Sequence, residues 1–459
     1  MKPQNLQGEI ATFIAGLRYE DLPANVVHDA KYRVLDWLGS ALAGSGYQPA
    51  LIAVKMVREA GGASQATVLQ AGIKVPVTQA ALANGIMGHA AEYDDGHRLA
   101  IAHPGAVTVP AALAAAEYLG RSGKELLTAI VAGYEVLIRL GASINPSHYR
   151  IWHTTGTCGA FAAAAATAHL LKLDAFRTQM CLGIAGTMAC GLQETFGTHA
   201  KPLNAGHACQ SGIQAGLLSR EGFTGPEDII LGAKGFVAAT SEQCDRRLLE
   251  EIKEQRFLST SAFYKVYASC GHTNSPLDAL FAILRRRDIP SAAIKAVRIA
   301  TYRTAVQLTG EFKHGSEEEA KFSLPYCIAV ALLYKRVTLA EFTPARLSDP
   351  ELEALARKVH VSEDPTATTA FPRERRAKIA LELHDGALIE ETILVPVDTP
   401  DYEALTRKFR SLAEMAIDGP CTKAVADIAI NLEQCSGLDR LMDHLRSGRA
   451  LTSATAGAS

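Results

Sequence analysis

The chain has 459 residues, 48% hydrophobic and only 6% aromatic, with a formal net charge of -2. That length carries two or three domains with sizeable cores, and the balanced charge, without a basic stripe interleaved with aromatics, argues against a nucleic-acid partner. Nine cysteines without a C-x-x-C pair argue against a disulfide framework, a zinc ribbon and an iron–sulfur cluster.

The N-terminal segment is too polar for a signal peptide. The most apolar stretch further on, residues 160–171, is mostly Ala and contains Thr167 and His169, too short and too weakly apolar for a bilayer. A cytoplasmic protein without a membrane partner is expected. Residues 26–42 have apolar side chains at helical spacing, and 79–91 form an Ala-rich helix that breaks at Tyr93-Asp94-Asp95-Gly96. Residues 109–118 and 123–140 predict a helical hairpin turning at Gly120-Arg121-Ser122-Gly123. Helices are also expected over 158–171 and 208–220.

The texture changes near residue 270. Residues 295–301 alternate like a strand, and 318–334 read as one helix. Residues 378–383 and 387–395 flank Asp385-Gly386, a hairpin-turn signal. Helices return over 401–417 and 436–445. The last residues are small and polar, with the signature of a disordered tail over 451–459.

No P-loop, no G-x-G-x-x-G after a strand and no G-x-S-x-G elbow is present. Nine of the fourteen histidines fall between His89 and His272. They group with glycine, proline, hydroxyl and charged residues in four places. The first is His89 to His97, with Glu92, Asp94 and Asp95, followed by His103-Pro104-Gly105. The second is Trp152-His153-Thr154-Thr155-Gly156-Thr157, the third His199 to His207 with Lys201, and the fourth Tyr264 to His272 with Lys265. Clustered carboxylates raise one another's pKa when they converge, although Asp94 or Asp95 could equally cap a helix. The glycines of Thr155-Gly156-Thr157-Cys158-Gly159 could bare N–H groups to an anion or serve close helix packing. No two histidines stand at i, i+4 around a Glu, so no metal is expected.

The strings ALANGIMGHAAEYDD, HPGAVTVPAALAAAEYLG, WHTTGTCGAFAAAAA, HAKPLNAGHACQSG, YKVYASCGHT and AKFSLPYCIAVAL occur in this order. Together they resemble the MmgE/PrpD family over roughly residues 10 to 415. The resemblance implies a mainly α fold: a large all-helical domain (1–268 and 398–450) with a smaller α+β lid domain (269–397) inserted in it. It further implies an active site in the cleft and a homodimer. Glu92, Asp94, Asp95, His103, His153, Lys201, Lys265 and Tyr326 match the family's site; candidate catalytic roles fall to His103, Glu92, Asp94, His153 and Lys265, and candidate substrate-binding roles to Lys201, Tyr326, His272 and Asp95. Three positions depart from the family pattern: Glu92 where Asp is usual, Gly96 for Thr or Ser, and Asn274 for His.

The shared chemistry is loss or movement of a group next to a carboxylate, which needs a positioned acid or base and cations on the substrate. The first expectation is a hydro-lyase acting, without cofactor, on a hydroxylated di- or tricarboxylate such as a citrate- or methylcitrate-like acid. An epimerase of an iminodisuccinate-like dicarboxylate and a cis-aconitate-type decarboxylase follow, and a helical binding protein without activity is the alternative of a different class.

Overall fold

A computed structural model describes residues 5–254, 256–396 and 401–446. The chain divides into two compact units, Met1–Phe263 with Asp401–Ser459, and Tyr264–Pro400. The first division thus falls five residues before the expected 268/269. The expected boundary at 397/398 and the expected tail over 451–459 lie outside the described residues.

The first unit is a packed set of helices whose ends follow local chemistry. Gly123–Ile144 starts at Ser122, whose side chain and Glu125 form a reciprocal capping box, and the preceding helix Pro104–Leu119 stops at Gly120 in the left-handed region, φ 61°. Gly123–Ile144 is also long and apolar enough to cross a membrane by length and composition, but 94% of its apolar window is buried in the fold. At its centre Glu135 and Arg139 pair at 3.2 Å, so it is a core helix.

Two expected helices begin earlier than the periodicity indicates. Thr154–Leu170 starts directly after His153, and Ala200–Arg220 takes in Lys201, Asn204 and His207. Pro202 is tolerated there because the first turn has no intrahelical use for its N–H. The unit is not all-helical. A short antiparallel hairpin, β1 (Ala66–Val68) with β2 (Ile73–Val75), pairs Thr67 with Lys74. Its three-residue strands are too short to show an alternating pattern. A further helix, Gly419–Ala429, follows the expected one, which spans Tyr402–Ala413.

The core explains the low aromatic content. Ala162 to Ala166 are fully buried, and Gly212 on the Ala200 helix approaches Ala163 so closely that a Cβ there would stand 2.3 Å from the Ala163 Cβ. The Val77–Ala90 helix lies equally tight on the Ala200 helix. A Cβ on Gly85 would be 2.8 Å from the Gly206 Cα, and one on Gly206 would be 2.4 Å from the Leu82 carbonyl oxygen. Small residues let the two backbones approach. His89 stands one turn beyond Gly85, and Lys201 precedes Gly206 by five residues.

The second unit is α+β. Its mixed sheet runs β4-β3-β5-β6, with β3 (Ile294–Thr301), β4 (Val359–Glu363), β5 (Ala377–Leu383) and β6 (Leu388–Ile393). β3 pairs parallel with β4 (Val297 opposite Val359) and antiparallel with β5, which turns through Asp385-Gly386 into β6. The helix Asn274–Arg286 packs on β5 and β6, and Leu324–Tyr334 packs on both that helix and β4. The single helix expected over 318–334 is two, Glu317–Lys321 and Leu324–Tyr334. Ser323 breaks them apart by capping the second, accepting from the Tyr326 N–H.

Gly206→Ala is expected to destabilise the first unit by about 1–3 kcal/mol, as overpacking does, and to push His89 away from Lys201. Thermal unfolding with and without substrate measures both effects. An unchanged melting temperature would show that the helices part without cost.

Candidate active site

Four helix ends meet in the first unit. The Val77 helix brings His89 in its last turn, the Pro104 and Thr154 helices are preceded by His103 and His153, and the Ala200 helix carries Lys201 in its first turn. His103 and His153 are N-cap residues, yet neither side chain caps its helix, which leaves both imidazoles to make other contacts.

The polar atoms of this cluster form a continuous chain. The Lys201 ammonium donates to Glu92 and lies 2.9 Å from His89 Nε2. His89 Nδ1 is 2.9 Å from Asp94 Oδ2, and His103 Nδ1 is 3.3 Å from the same oxygen. His103 Nδ1 is also 2.6 Å from the Asp95 carbonyl oxygen, so this nitrogen carries a hydrogen. His153 stacks on His89 with centroids 5.8 Å apart, and its Nδ1 accepts from the Asn204 amide at 3.2 Å. Burial, then the Lys201 charge, push the His153 imidazole well below its ordinary pKa, so it is neutral. Side-chain exposure separates the members: His103 keeps 18%, Glu92 and Lys201 7% and 4%, and His89 none.

Glu92 adopts a left-handed conformation, φ 56°. It follows the C-cap Ala91, a position where glycine is the common choice. A side chain there costs about 1–2 kcal/mol, which the bond to buried Lys201 offsets. The methylene that Glu has over Asp lengthens that reach.

Asp95 faces away from this chain of contacts. Its Oδ1 accepts from the Gly105 N–H at 2.8 Å, its Oδ2 from the Tyr134 hydroxyl at 2.8 Å, and Arg33 stands 3.4 Å away. A Cβ on Gly105 would lie 2.8 Å from Oδ1, so glycine is required for the carboxylate to sit there. Burial, against the Arg33 charge, raises the Asp95 carboxyl to about 6. Asp95 thereby anchors the acidic loop. Lys408 adds a second anchor, donating to the Tyr93 carbonyl and to Asp36, both at 2.7 Å. Gly96 pairs with Phe263, and a Cβ there would come 2.6 Å from the Phe263 ring; this is the physical reason for glycine at that departure from the family pattern.

Lys265, His272 and Tyr326 belong to the second unit, and all three are buried. His272 Nδ1 is 2.7 Å from the Tyr302 hydroxyl, inside a ring cluster with Phe371. The Tyr326 hydroxyl donates to the Glu341 carbonyl at 2.9 Å. The buried side chain of Asn274 leaves its Oδ1 without a hydrogen-bond partner, as does the adjacent Ser275 hydroxyl.

The glycines of the 155–159 segment serve packing. A Cβ on Gly156 would meet the Cys190 carbonyl at 2.6 Å and one on Gly159 would meet Val107 at 2.9 Å, while the Thr157 hydroxyl is 2.8 Å from His148 Nε2. Sequence reasoning passed over His89, Arg33, Tyr134, Asn204 and Lys408; for His89, its place in the first histidine cluster was the available signal. His89, Asp94 and His103 also each hold a ligand-type atom within 4.8 Å of the others, a grouping that the i, i+4 test could not find. The carbonyl against His103 Nδ1 and the ammonium against His89 Nε2 suit hydrogen-bonding imidazoles better than metal ligands.

The first unit is thus mainly α and gathers carboxylates, imidazoles and an ammonium in one buried cluster. The chain belongs to the MmgE/PrpD family: the model of the MmgE/PrpD N-terminal domain matches residues 8–248 and that of the C-terminal domain residues 267–434. It is 27% identical over 473 aligned positions to the cis-aconitate decarboxylase of Aspergillus terreus (strain NIH 2624 / FGSC A1156), covering 95% of each chain. The cis-aconitate decarboxylase of Homo sapiens is 27% identical over 464 positions, with 96% of this chain and 95% of the relative covered. The 2-methylcitrate dehydratase of Escherichia coli (strain K12) is 24% identical over 429 positions, 84% of each. These relatives are enzymes.

Tyr134→Phe removes a hydrogen bond to a charged group, expected to cost about 1.5–3 kcal/mol where Asp95 is ionised. Because the folded pKa of Asp95 is raised, its stabilising contribution is full below the unfolded value and lost as pH rises through about 6. Once protonated, Asp95 relies less on the phenol, so the stability gap between parent and variant is expected to be smaller near pH ~5 than near pH ~8. Melting temperatures at the two values check this; a gap that widens in acid would overturn it.

Proposed function

We propose that the chain is a lyase that decarboxylates a small unsaturated polycarboxylate of the cis-aconitate type, using its own side chains for proton transfer. The observation that carries this reading is the unequal state of the two candidate acids. His153 is buried and held neutral beside Lys201, whereas His103 is anchored through Nδ1 and partly exposed. One imidazole is thus equipped to cycle a proton, and decarboxylation needs one. The C–C bond to the departing carboxylate breaks, its electron pair passes into the conjugated acid, and protonated His103 delivers hydrogen to carbon from Nε2. Lys201 binds a retained carboxylate through a charge-assisted hydrogen bond. The extent of the likeness to the decarboxylases supports the same choice.

Dehydration of a hydroxylated acid is the second reading. It needs a base at carbon and an acid at the leaving hydroxyl. The Lys201–Glu92 pair, next to His89 and Asp94, could supply the acid, and the likeness to a dehydratase favours it. The test is incubation with cis-aconitate and with 2-methylcitrate in heavy water, following gas release and products by mass spectrometry. Carbon dioxide with one solvent-derived deuterium in the product is expected. Water loss without carbon dioxide would replace the first reading by the second, and inertness towards a wider carboxylate panel would remove both.

His103→Ala is expected to lower kcat by about 10²–10⁴, the usual contribution of a proton-transferring side chain. Lys201→Ala is expected mainly to raise KM, by about ten- to a hundredfold for one lost charge-assisted bond. Steady-state kinetics separates the two, since only transition-state interactions lower kcat.

The formal charges of Lys201, Glu92 and Asp94 sum to minus one, so a polyanion enters a site that already has excess negative charge. Its arrival favours protonation of His103. Binding is expected to take up a proton, and kcat/KM to fall as pH rises through the range where imidazoles lose theirs. Calorimetry in buffers of different ionisation enthalpy measures the uptake; proton release would contradict the assignment.

A further inference from the structure

We infer that His89, locked as the neutral tautomer with hydrogen on Nδ1, is the positioning residue that couples Lys201 to Asp94. The inference deepens the acid–base reading of the site and rests on it for its kinetic arm. The logic is one of donors and acceptors. An ammonium has only hydrogens to give, and Lys201 Nζ stands 2.9 Å from His89 Nε2, so Nε2 must accept. An ionised carboxylate can only accept, and Asp94 Oδ2 stands 2.9 Å from Nδ1, so Nδ1 must donate. A donor-only partner on one side and an acceptor-only partner on the other leave a single protonation state. Complete burial removes water as a substitute for either partner.

The ammonium opposes a second proton on the ring, against the pull of the two carboxylates. Lys201 approaches from the Ala200 helix, and Glu92 and Asp94 from the loop that follows the Val77 helix. His103 lies 4.9 Å away between ring centroids, before the Pro104 helix, and neutral His153 stacks at 5.8 Å, before the Thr154 helix. A proton added at Nε2 would point at the Lys201 ammonium. His89 therefore fixes where the ammonium hydrogens point and holds Asp94 Oδ2 beside His103 Nδ1. It orients both members of the site and exchanges no proton with substrate.

The test has two arms. In the first, the full-length protein is labelled with ¹⁵N-histidine, and the His89 signals are assigned with His89→Gln. Nδ1 is expected to be protonated and Nε2 bare through the neutral range, with the Nε2 signal moving in Lys201→Met. A protonated Nε2 would overturn the inference. This arm needs no turnover, so it stands even if the proposed reaction is wrong.

The second arm compares His89→Gln with His89→Phe. The glutamine amide offers one donor and one acceptor at about the separation of the two ring nitrogens but cannot titrate. Phenylalanine keeps the ring volume and loses both bonds. His89→Phe is expected to lower kcat by about ten- to a hundredfold, and His89→Gln to recover most of that loss with the parent's pH profile. If both variants lose activity equally, or if the Gln variant loses a limb of the profile, His89 acts as a proton carrier or as packing, and the positioning role is refuted.

Discussion

A lysine ammonium removed from water costs several kcal/mol unless its surroundings replace the hydration, and the site is organised around meeting that cost for Lys201. The Gly85–Gly206 approach places His89 Nε2 against the ammonium, and Glu92 supplies the countercharge from a backbone conformation that favours glycine. Unpairing a buried ion is far more damaging than the strain at Glu92, so the strained residue persists. The same charge acts on His153, where it adds to burial in keeping the imidazole neutral. One buried cation thus sets the state of three neighbours.

The two adjacent aspartates show how alternate residues of one loop divide the labour. Asp94 turns toward the imidazoles, and Asp95 turns toward Gly105, Tyr134 and Arg33. The second set anchors the loop that presents the first. Lys408, from the helix that returns after the second unit, ties the Tyr93 carbonyl to Asp36. Burial pushes the Asp36 carboxyl up, and Lys408 opposes this. Positioning by supports of this kind is what lets a buried acid–base group keep one geometry through a reaction.

Local signals in the sequence reported local structure well. Ser122 with Glu125, Gly120 and Asp385-Gly386 each act within a few residues, and each marks the expected turn or cap. Signals that depend on distant partners were not legible. Val359–Glu363 became a strand by pairing parallel with β3, and its composition alone does not show this. Pro202 and Gly206 precede the expected helix over 208–220, but both lie inside the Ala200 helix, where Leu82 and Ile86 press against Gly206. The acidic loop, His103, His153 and Lys201 stood out through the residue types around them. His89 stood in the first histidine cluster but drew no role, since its partner Lys201 is 112 residues away and nothing local points to that pairing.

The position of Asp94 Oδ2 between two imidazoles has a consequence for how the site divides proton holding from proton transfer. Both His89 Nδ1 and His103 Nδ1 lie within 3.3 Å of that one oxygen. An acceptor shared in this way selects the same tautomer in both rings, with Nε2 as the unprotonated nitrogen of each neutral imidazole. The rings then differ in their remaining partners and in burial. In His89, Nε2 meets the Lys201 ammonium in full burial and is fixed. In His103 the Asp95 carbonyl adds a second acceptor to Nδ1, and the ring keeps the most exposure in the cluster. On the proposed reaction, proton transfer falls to His103, because His89 is fully buried with its Nε2 already against the ammonium.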